Sequence, residues 1–180
     1  QRQMCIRDRS HAGHKTAMDV ISYSKRPVVV THANPNAWHA TPRNLHHDLL
    51  QALSETGGMV GFSLYPHHLK SGSECSLEEF SDMASYMIQT YGSNTFGIGS
   101  DLCQGQPDSV VNWMRNGHWR KKPEPLVKFP KPPTWFQDNS DFPGLAKGLC
   151  RSTISDVDVD CLVGGNWMSF LEKALVPYER

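Results

Sequence analysis

In this 180-residue chain His11, His32 and Asp101 have types that suit a divalent metal, and each follows, or in the case of His11 would follow, a short apolar run. His32 closes Val28-Val29-Val30-Thr31, and Asp101 follows Thr95-Phe96-Gly97-Ile98-Gly99-Ser100. His11 stands in Ser10-His11-Ala12-Gly13, where a preceding strand would end. In parallel α/β folds the carboxyl ends of the strands share one mouth, so residues far apart in sequence converge there. Two imidazoles and a carboxylate suit a zinc-type ion, which takes nitrogen and carboxylate ligands and leaves a position open for water. The plainer alternative is that each histidine caps its strand by hydrogen bonding. The convergence of three such residues weighs against it.

The elements that would position them alternate along the chain. Apolar runs over 27–32, 59–65 and 95–99 are short and β-branched or aromatic, as in strands buried on both faces. Helical spacing is expected over 14–23, over 44–56 with Leu45, Leu49, Leu50 and Leu53 on one face, and over 77–91. Gly57-Gly58 should stop the second of these helices, and Ser76-Leu77-Glu78-Glu79 reads as a capping box for the third. Residues 103–143 hold many of the prolines and show no period, so a long excursion loop is expected, with one helical turn near 110–114. Helices over 142–149, 154–163 and 167–175 follow, the last two separated by a turn at Gly164-Gly165-Asn166. The pattern is α/β with parallel strands.

Composition narrows the partners. The chain is 38% hydrophobic and 20% charged with zero formal net charge, which fits one globular domain and gives no electrostatic case for nucleic acid. The basic run at 115–122 is short and leads into prolines, so it reads as a solvated loop. No apolar stretch approaches the roughly 20 residues that span a bilayer. Five cysteines without a C-x-x-C spacing suggest neither a disulfide framework nor a cysteine zinc knot, and a reducing compartment, the cytoplasm, is favoured, with an exported form left open. Residues 1–9 carry no period and no leader architecture; they are expected to be a non-native segment ahead of a domain over 10–180.

Ser10-His11-Ala12-Gly13 with Thr16, residues 27–32 with Arg43-Asn44, Gly97-Ile98-Gly99-Ser100-Asp101, Asp141-Phe142-Pro143 and Gly164-Gly165-Asn166 resemble, in order and spacing, the membrane (renal) dipeptidase family of zinc peptidases. That resemblance implies a (β/α)8 barrel of the amidohydrolase type with two zinc ions, hydrolysing dipeptides by a metal-activated water. It implies that His11 and His32 are metal ligands, that Arg43 and Asn44 bind substrate, with Arg43 on its terminal carboxylate, and that Asp101 is the catalytic acid/base. The residue types agree: arginine offers a carboxylate a planar fork, and an aspartate beside an activated water can pass its proton to the leaving amine.

The departures are equally specific. The family pattern has an early His-x-Asp pair for the first zinc and a bridging carboxylate, and this sequence shows neither. About four strands are expected where a barrel has eight, so the chain reads as the C-terminal half of an enzyme, marginally stable and inactive by itself. A homodimer stays open. His46-His47 point in different directions on a helix and should not chelate; His67-His68 are expected in a solvated loop, and His14 and His39 beside the ligand candidates, at the surface. Asp108, Trp113 and Trp119 could line a substrate pocket. Two rivals remain: another metal-dependent amidohydrolase, such as a lactonase or an N-acyl amino acid hydrolase, and a non-catalytic remnant. Arg43 favours a substrate with a free carboxylate.

Overall fold

The computed structural model describes residues 10–116 and 128–175. Its centre is a parallel sheet of β1 (Val29–Val30), β2 (Met59–Phe62) and β3 (Phe96–Ile98), in that spatial order. Val29 pairs with Met59, Val60 with Phe96, and Phe62 with Ile98. All the strand residues are buried, which is why the sequence shows continuous apolar runs instead of alternation. The fourth expected strand, ahead of His11, falls on residues 1–9, outside the described residues.

Helix α1 (His14–Tyr23) precedes β1, α2 (His47–Glu55) joins β1 to β2, and α3 (Leu77–Tyr91) joins β2 to β3. The α1 and α3 bounds match the spacing of their apolar residues. Helix α2 starts three residues later than expected because 34–45 closes on itself: Asn36 N–H donates to the Leu45 carbonyl at 2.7 Å and Leu45 N–H to the Asn34 carbonyl at 2.8 Å. Beyond α2, Gly57 takes a φ of 68°, the left-handed conformation in which glycine ends helices without steric cost. At the start of α3, Ser76 Oγ accepts from Glu79 N–H; the returning half of the expected box is not made by Glu79 Oε1, which is buried without a partner.

Side-chain alternation along the strands divides the core. Val28, Val30, Val60, Phe62, Phe96 and Ile98 pack with Leu49, Leu50 and Leu53 of α2 and Phe80, Met83 and Met87 of α3. Phe62 and Phe96 stack with ring centroids 4.9 Å apart. Val29 and Met59 form a second cluster with Phe170 and Ala174 of α7 (Asn166–Ala174).

The later segments keep the broken helices but fill in part of the expected loop. Helix α4 (Asp108–Asn116) is longer than the single turn expected. Residues 128–141 pack onto the core: Phe136 is fully buried, and Trp135 Nε1 donates to the Cys75 carbonyl at 2.7 Å. Helices α5 (Phe142–Leu149) and α6 (Asp156–Asp160) follow. The break expected at Gly164-Gly165-Asn166 is present: the wide helical turn Cys161–Gly165 kinks at Gly164, whose φ of 178° and ψ of −31° leave helical geometry, before α7 begins. Asn166 holds that junction, its Nδ2 donating to the carbonyls of Ser93 at 2.7 Å and Phe96 at 2.8 Å.

Two glycines set the spacing at the carboxyl ends of the strands. After β1 the chain turns across the sheet so that the Thr31 carbonyl lies over Gly61 and Gly99, and a methyl group on either would overlap that carbonyl. Gly61→Ala and Gly99→Ala are therefore expected to destabilise the protein by about 1–3 kcal/mol each, as overpacking does. Gly144→Ala, whose methyl would meet nothing within 4 Å, should be neutral or slightly stabilising. Urea titrations of the three variants check this; a neutral Gly99→Ala would refute the close approach.

Candidate active site

His32 follows the turn over the two glycines, and Asp101 follows β3 in a left-handed conformation with φ of 55°. Such a φ is uncommon outside glycine, although aspartate tolerates it better than most residues, and strained backbone concentrates at functional sites. The two side chains meet with His32 Nε2 3.8 Å from Asp101 Oδ1. His11, carried in front of α1, places its Nε2 3.1 Å from His32 Nε2. Arg43, on the closed loop before α2, reaches His11 Nε2 with Nη2 at 3.2 Å. Four residues that span ninety positions of sequence thus stand at one end of the sheet.

A guanidinium has only donors, so the one lone pair of His11 Nε2 accepts from Arg43. In one tautomer His32 Nε2 carries a proton that shares this acceptor. His32 Nδ1 then accepts from Thr31 Oγ1 at 2.9 Å, and Ser10 Oγ lies 3.1 Å from Thr31 Oγ1 while accepting the His32 backbone N–H at 3.0 Å. The hydroxyls of Ser10 and Thr31 can reverse their roles, which would free His32 Nε2 to offer a lone pair. Both Nε2 atoms could then face one ion: nitrogens bound tetrahedrally to zinc at about 2.0–2.1 Å lie roughly 3.3 Å apart, close to the 3.1 Å between His11 and His32. The imidazole pair fits such an ion. The fuller cluster of two imidazoles and a carboxylate is not assembled: among the described residues no group of three or more His, Cys, Asp or Glu is arranged to hold a metal. The chain contributes a pair, with Asp101 set back from it.

Charge around Asp101 is unbalanced towards the positive. Burial raises its pKa above the ordinary carboxylate range, and His32, Arg43 and His11 pull it partly back. Beside it, Leu64, Tyr65, Pro130, Pro132 and Phe136 complete a small cavity of about 30 Å³, room enough for a water. A larger cleft of about 200 Å³ opens between the α1 and α2 starts, with His11, Arg43 and His46 on its walls.

His68 corrects the expectation of a solvated loop. His67 is exposed, but His68 is 4% exposed and its Nδ1 lies 2.7 Å from Ser63 Oγ. Burial first, then the charges of Arg43, His32, His67 and His11, push its pKa down to about 4. It sits with buried Pro66 and exposed His67 in a three-residue 3-10 turn, Pro66–His68, too short for periodicity to reveal. Asn44 is also inward-facing and buried, with its carboxamide bonded to backbone. The other histidines disperse: His14 pairs with Asp48 at 3.0 Å on the surface, His46 packs against His14, and His47 Nδ1 meets Tyr91 Oη at 2.6 Å. Asp108 and Trp113 are exposed, and Trp119 lies outside the described residues.

Comparison with known proteins follows the same lines. The model of the membrane dipeptidase family, peptidase family M19, matches residues 2–115. A dipeptidase of Aspergillus oryzae, aclJ, is 28% identical over 168 residues, 92% of this chain and 34% of its own length. A solved amidohydrolase from Pseudomonas aeruginosa superposes with a TM-score of 0.82 at 28% identity, over 92% of this chain and 51% of that one. A Rhodobacter sphaeroides metallopeptidase, solved with a phosphinate mimic of the dipeptide L-Ala-D-Ala, shares the fold with a TM-score of 0.74 at 23% identity, over 93% of this chain and 42% of that one. The chain therefore spans about a third of the curated relative and about half of the first solved neighbour.

The depressed pKa of His68 has a thermodynamic consequence. Below pH about 6.5, its ordinary value, the unfolded chain binds a proton that the folded chain refuses until about pH 4, so this contribution to stability is complete above pH 6.5 and is lost as pH falls towards 4. Denaturation followed across that window should show a slope approaching about 1.4 kcal/mol per pH unit from this group. His68→Gln should flatten it; an unchanged slope would mean that the imidazole is not buried neutral.

Proposed function

The chain belongs to the membrane dipeptidase family, and on that premise we propose that it is part of a zinc-dependent dipeptidase, the portion that carries one zinc's histidines, the carboxylate-binding arginine and the acid/base. The observation that carries the reading is the meeting of His11, His32, Arg43 and Asp101 at one end of a parallel sheet. A parallel order with one helix between successive strands, and the likeness to about half of a solved amidohydrolase, support a half-barrel over 10–180. His11 and His32 would serve the second zinc; the first zinc's ligands and the bridging carboxylate would come from sequence beyond this chain.

His11 and His32 would hold an ion through their Nε2 atoms. When bound, zinc lowers the pKa of a coordinated water and polarises a carbonyl oxygen. The residues of this chain do the rest. Arg43, half-buried at the cleft, would leave His11 for the terminal carboxylate of a dipeptide, trading a neutral acceptor for a charged one and gaining a two-pronged contact. That contact fixes where the scissile bond lies, which is worth more than affinity alone, because a misplacement of about 1 Å costs on the order of 100-fold in rate. Asp101, its pKa raised by burial, is closer to neutrality than a solvated carboxylate. It can accept a proton from the attacking water and surrender it to the leaving amine at a smaller free-energy cost.

The test uses the chain extended to the full length of its relatives, loaded with zinc, with metal counted by atomic absorption and hydrolysis followed by chromatography. Dipeptides should be cleaved. Arg43→Ala should raise KM by about 10- to 100-fold, the size of a lost charge-assisted pair, and Asp101→Asn should lower kcat by about 10²- to 10⁴-fold. Cleavage of lactones or N-acyl amino acids with dipeptides untouched would move the reading to another amidohydrolase, and failure to hold zinc would reduce it to a non-catalytic remnant.

A further inference from the structure

We infer that Asn34 and Asn44 form a buried clamp that aims Arg43, so that Asn44 is a positioning residue and does not itself touch substrate; this rests on Arg43 receiving the substrate carboxylate. Asn44 directly follows Arg43 and is 4% exposed; Asn34 is 1% exposed. Nδ2 of Asn44 donates to the His39 carbonyl at 2.8 Å and to the His68 carbonyl at 3.0 Å, and its Oδ1 accepts the Asn34 N–H at 3.1 Å. Nδ2 of Asn34 donates to the carbonyls of Ser63 at 2.9 Å and His68 at 3.1 Å, and its Oδ1 accepts the Ser63 N–H at 3.0 Å. Both N–H donors and the carbonyl oxygen of each carboxamide are committed to backbone. No donor of Asn44 is left for a ligand.

The loop does not need this clamp merely to close, since Asn36 and Leu45 already tie its two ends backbone to backbone. What the carboxamides add is a junction between that loop and the segment beyond β2, through the one carbonyl of His68 that accepts from both. Burying two amides is costly unless every polar atom is paired. Here all are paired, and the chain neighbour they immobilise is the arginine. Only a group with two N–H donors and an acceptor satisfies the Asn44 position; aspartate would set a carboxylate against two carbonyl oxygens.

The test separates aiming from folding by asking how well the protein tells a dipeptide from the same dipeptide with a C-terminal amide, which removes the charge Arg43 would grip. The ratio of kcat/KM for acid over amide is measured on the full-length zinc protein, alone and as Asn44→Ala, Arg43→Ala and the double variant, with thermal melts as a folding control. Asn44→Ala should lower the ratio at least about tenfold, a loss of the order of one charge-assisted pair, while amide cleavage changes less than about threefold. The double variant should show the ratio of Arg43→Ala alone, and Asn44→Ser, which keeps one donor and one acceptor, should recover part of it. Equal losses on acid and amide, leaving the ratio unchanged, would overturn the inference. Should Asn44→Ala not fold, Asn44→Ser carries the same comparison. If the unsubstituted protein cleaves neither compound, the dipeptidase reading fails by itself; the ratio of calorimetric dissociation constants for acid and amide then decides the clamp, and absence of binding by either overturns it.

Discussion

The close approach of the Thr31 carbonyl to Gly61 and Gly99 is the contact from which the geometry of the site follows. Residues at the ends of parallel strands ordinarily stay a strand spacing of about 4.8 Å apart per step, and β1 and β3 are separated by β2. His32 and Asp101 would then be too far apart to influence one another. By crossing the sheet over two positions without side chains, the chain after β1 brings the imidazole to 3.8 Å from the carboxylate. The two glycines act where their lack of a Cβ is a packing requirement, and the φ of 55° at Asp101 completes the turn from the other side.

Electrostatics explains how so crowded an end of the sheet holds together. Arg43 is a permanent cation, and three histidines stand around it. A protonated imidazole there would repel the guanidinium, and burial adds to that penalty for His68, whose pKa falls to about 4. The imidazoles instead interlock with the guanidinium, His11 Nε2 accepting from Arg43 and lying beside His32 Nε2, with Thr31 and Ser10 extending the chain of contacts. Neutral histidine is also the form that binds metals. The same positive surroundings pull the Asp101 pKa down, against the burial that raises it.

Much of the frame was legible because it depends on local periodicity. The i, i+3, i+4 apolar residues of α3 and the β-branched run before His32 need no tertiary information. Asp101, His32, His11 and Arg43 were legible for a different reason, their places after apolar runs and in motifs resembling a family. His68 and Asn34 were not. A buried histidine on a three-residue turn and an asparagine in a Pro- and Asn-rich loop have the same local signature as solvated residues, and only the backbone carbonyls brought to them by other segments make them interior. The helix break at Gly164-Gly165 was legible in the glycines themselves, and the backbone kinks at Gly164; the bonds of Asn166 to the Ser93 and Phe96 carbonyls, seventy residues back, were not.

The motifs that carry the family resemblance do two kinds of work, and the structure separates them. Asn166 ties α7 to the entrance of β3. Asp141 accepts the backbone N–H groups of Gln137 and Asp138. Gly97 leaves room for the indole of Trp167, which donates to the Ile98 carbonyl. None of these side chains is among those that meet around His32 and Asp101 at the end of the sheet. They constrain backbone, and backbone constraints persist in any protein that must bring these strand ends together, whatever reaction occurs there. The stronger functional weight therefore falls on His11, His32, Arg43 and Asp101, whose side chains face one another with no comparable task in closing loops or capping helices. Arg43 is the most discriminating of these. Imidazoles and a carboxylate serve many hydrolytic reactions, whereas a half-buried guanidinium that makes its hydrogen bond to an imidazole nitrogen is suited to a substrate that brings its own negative charge.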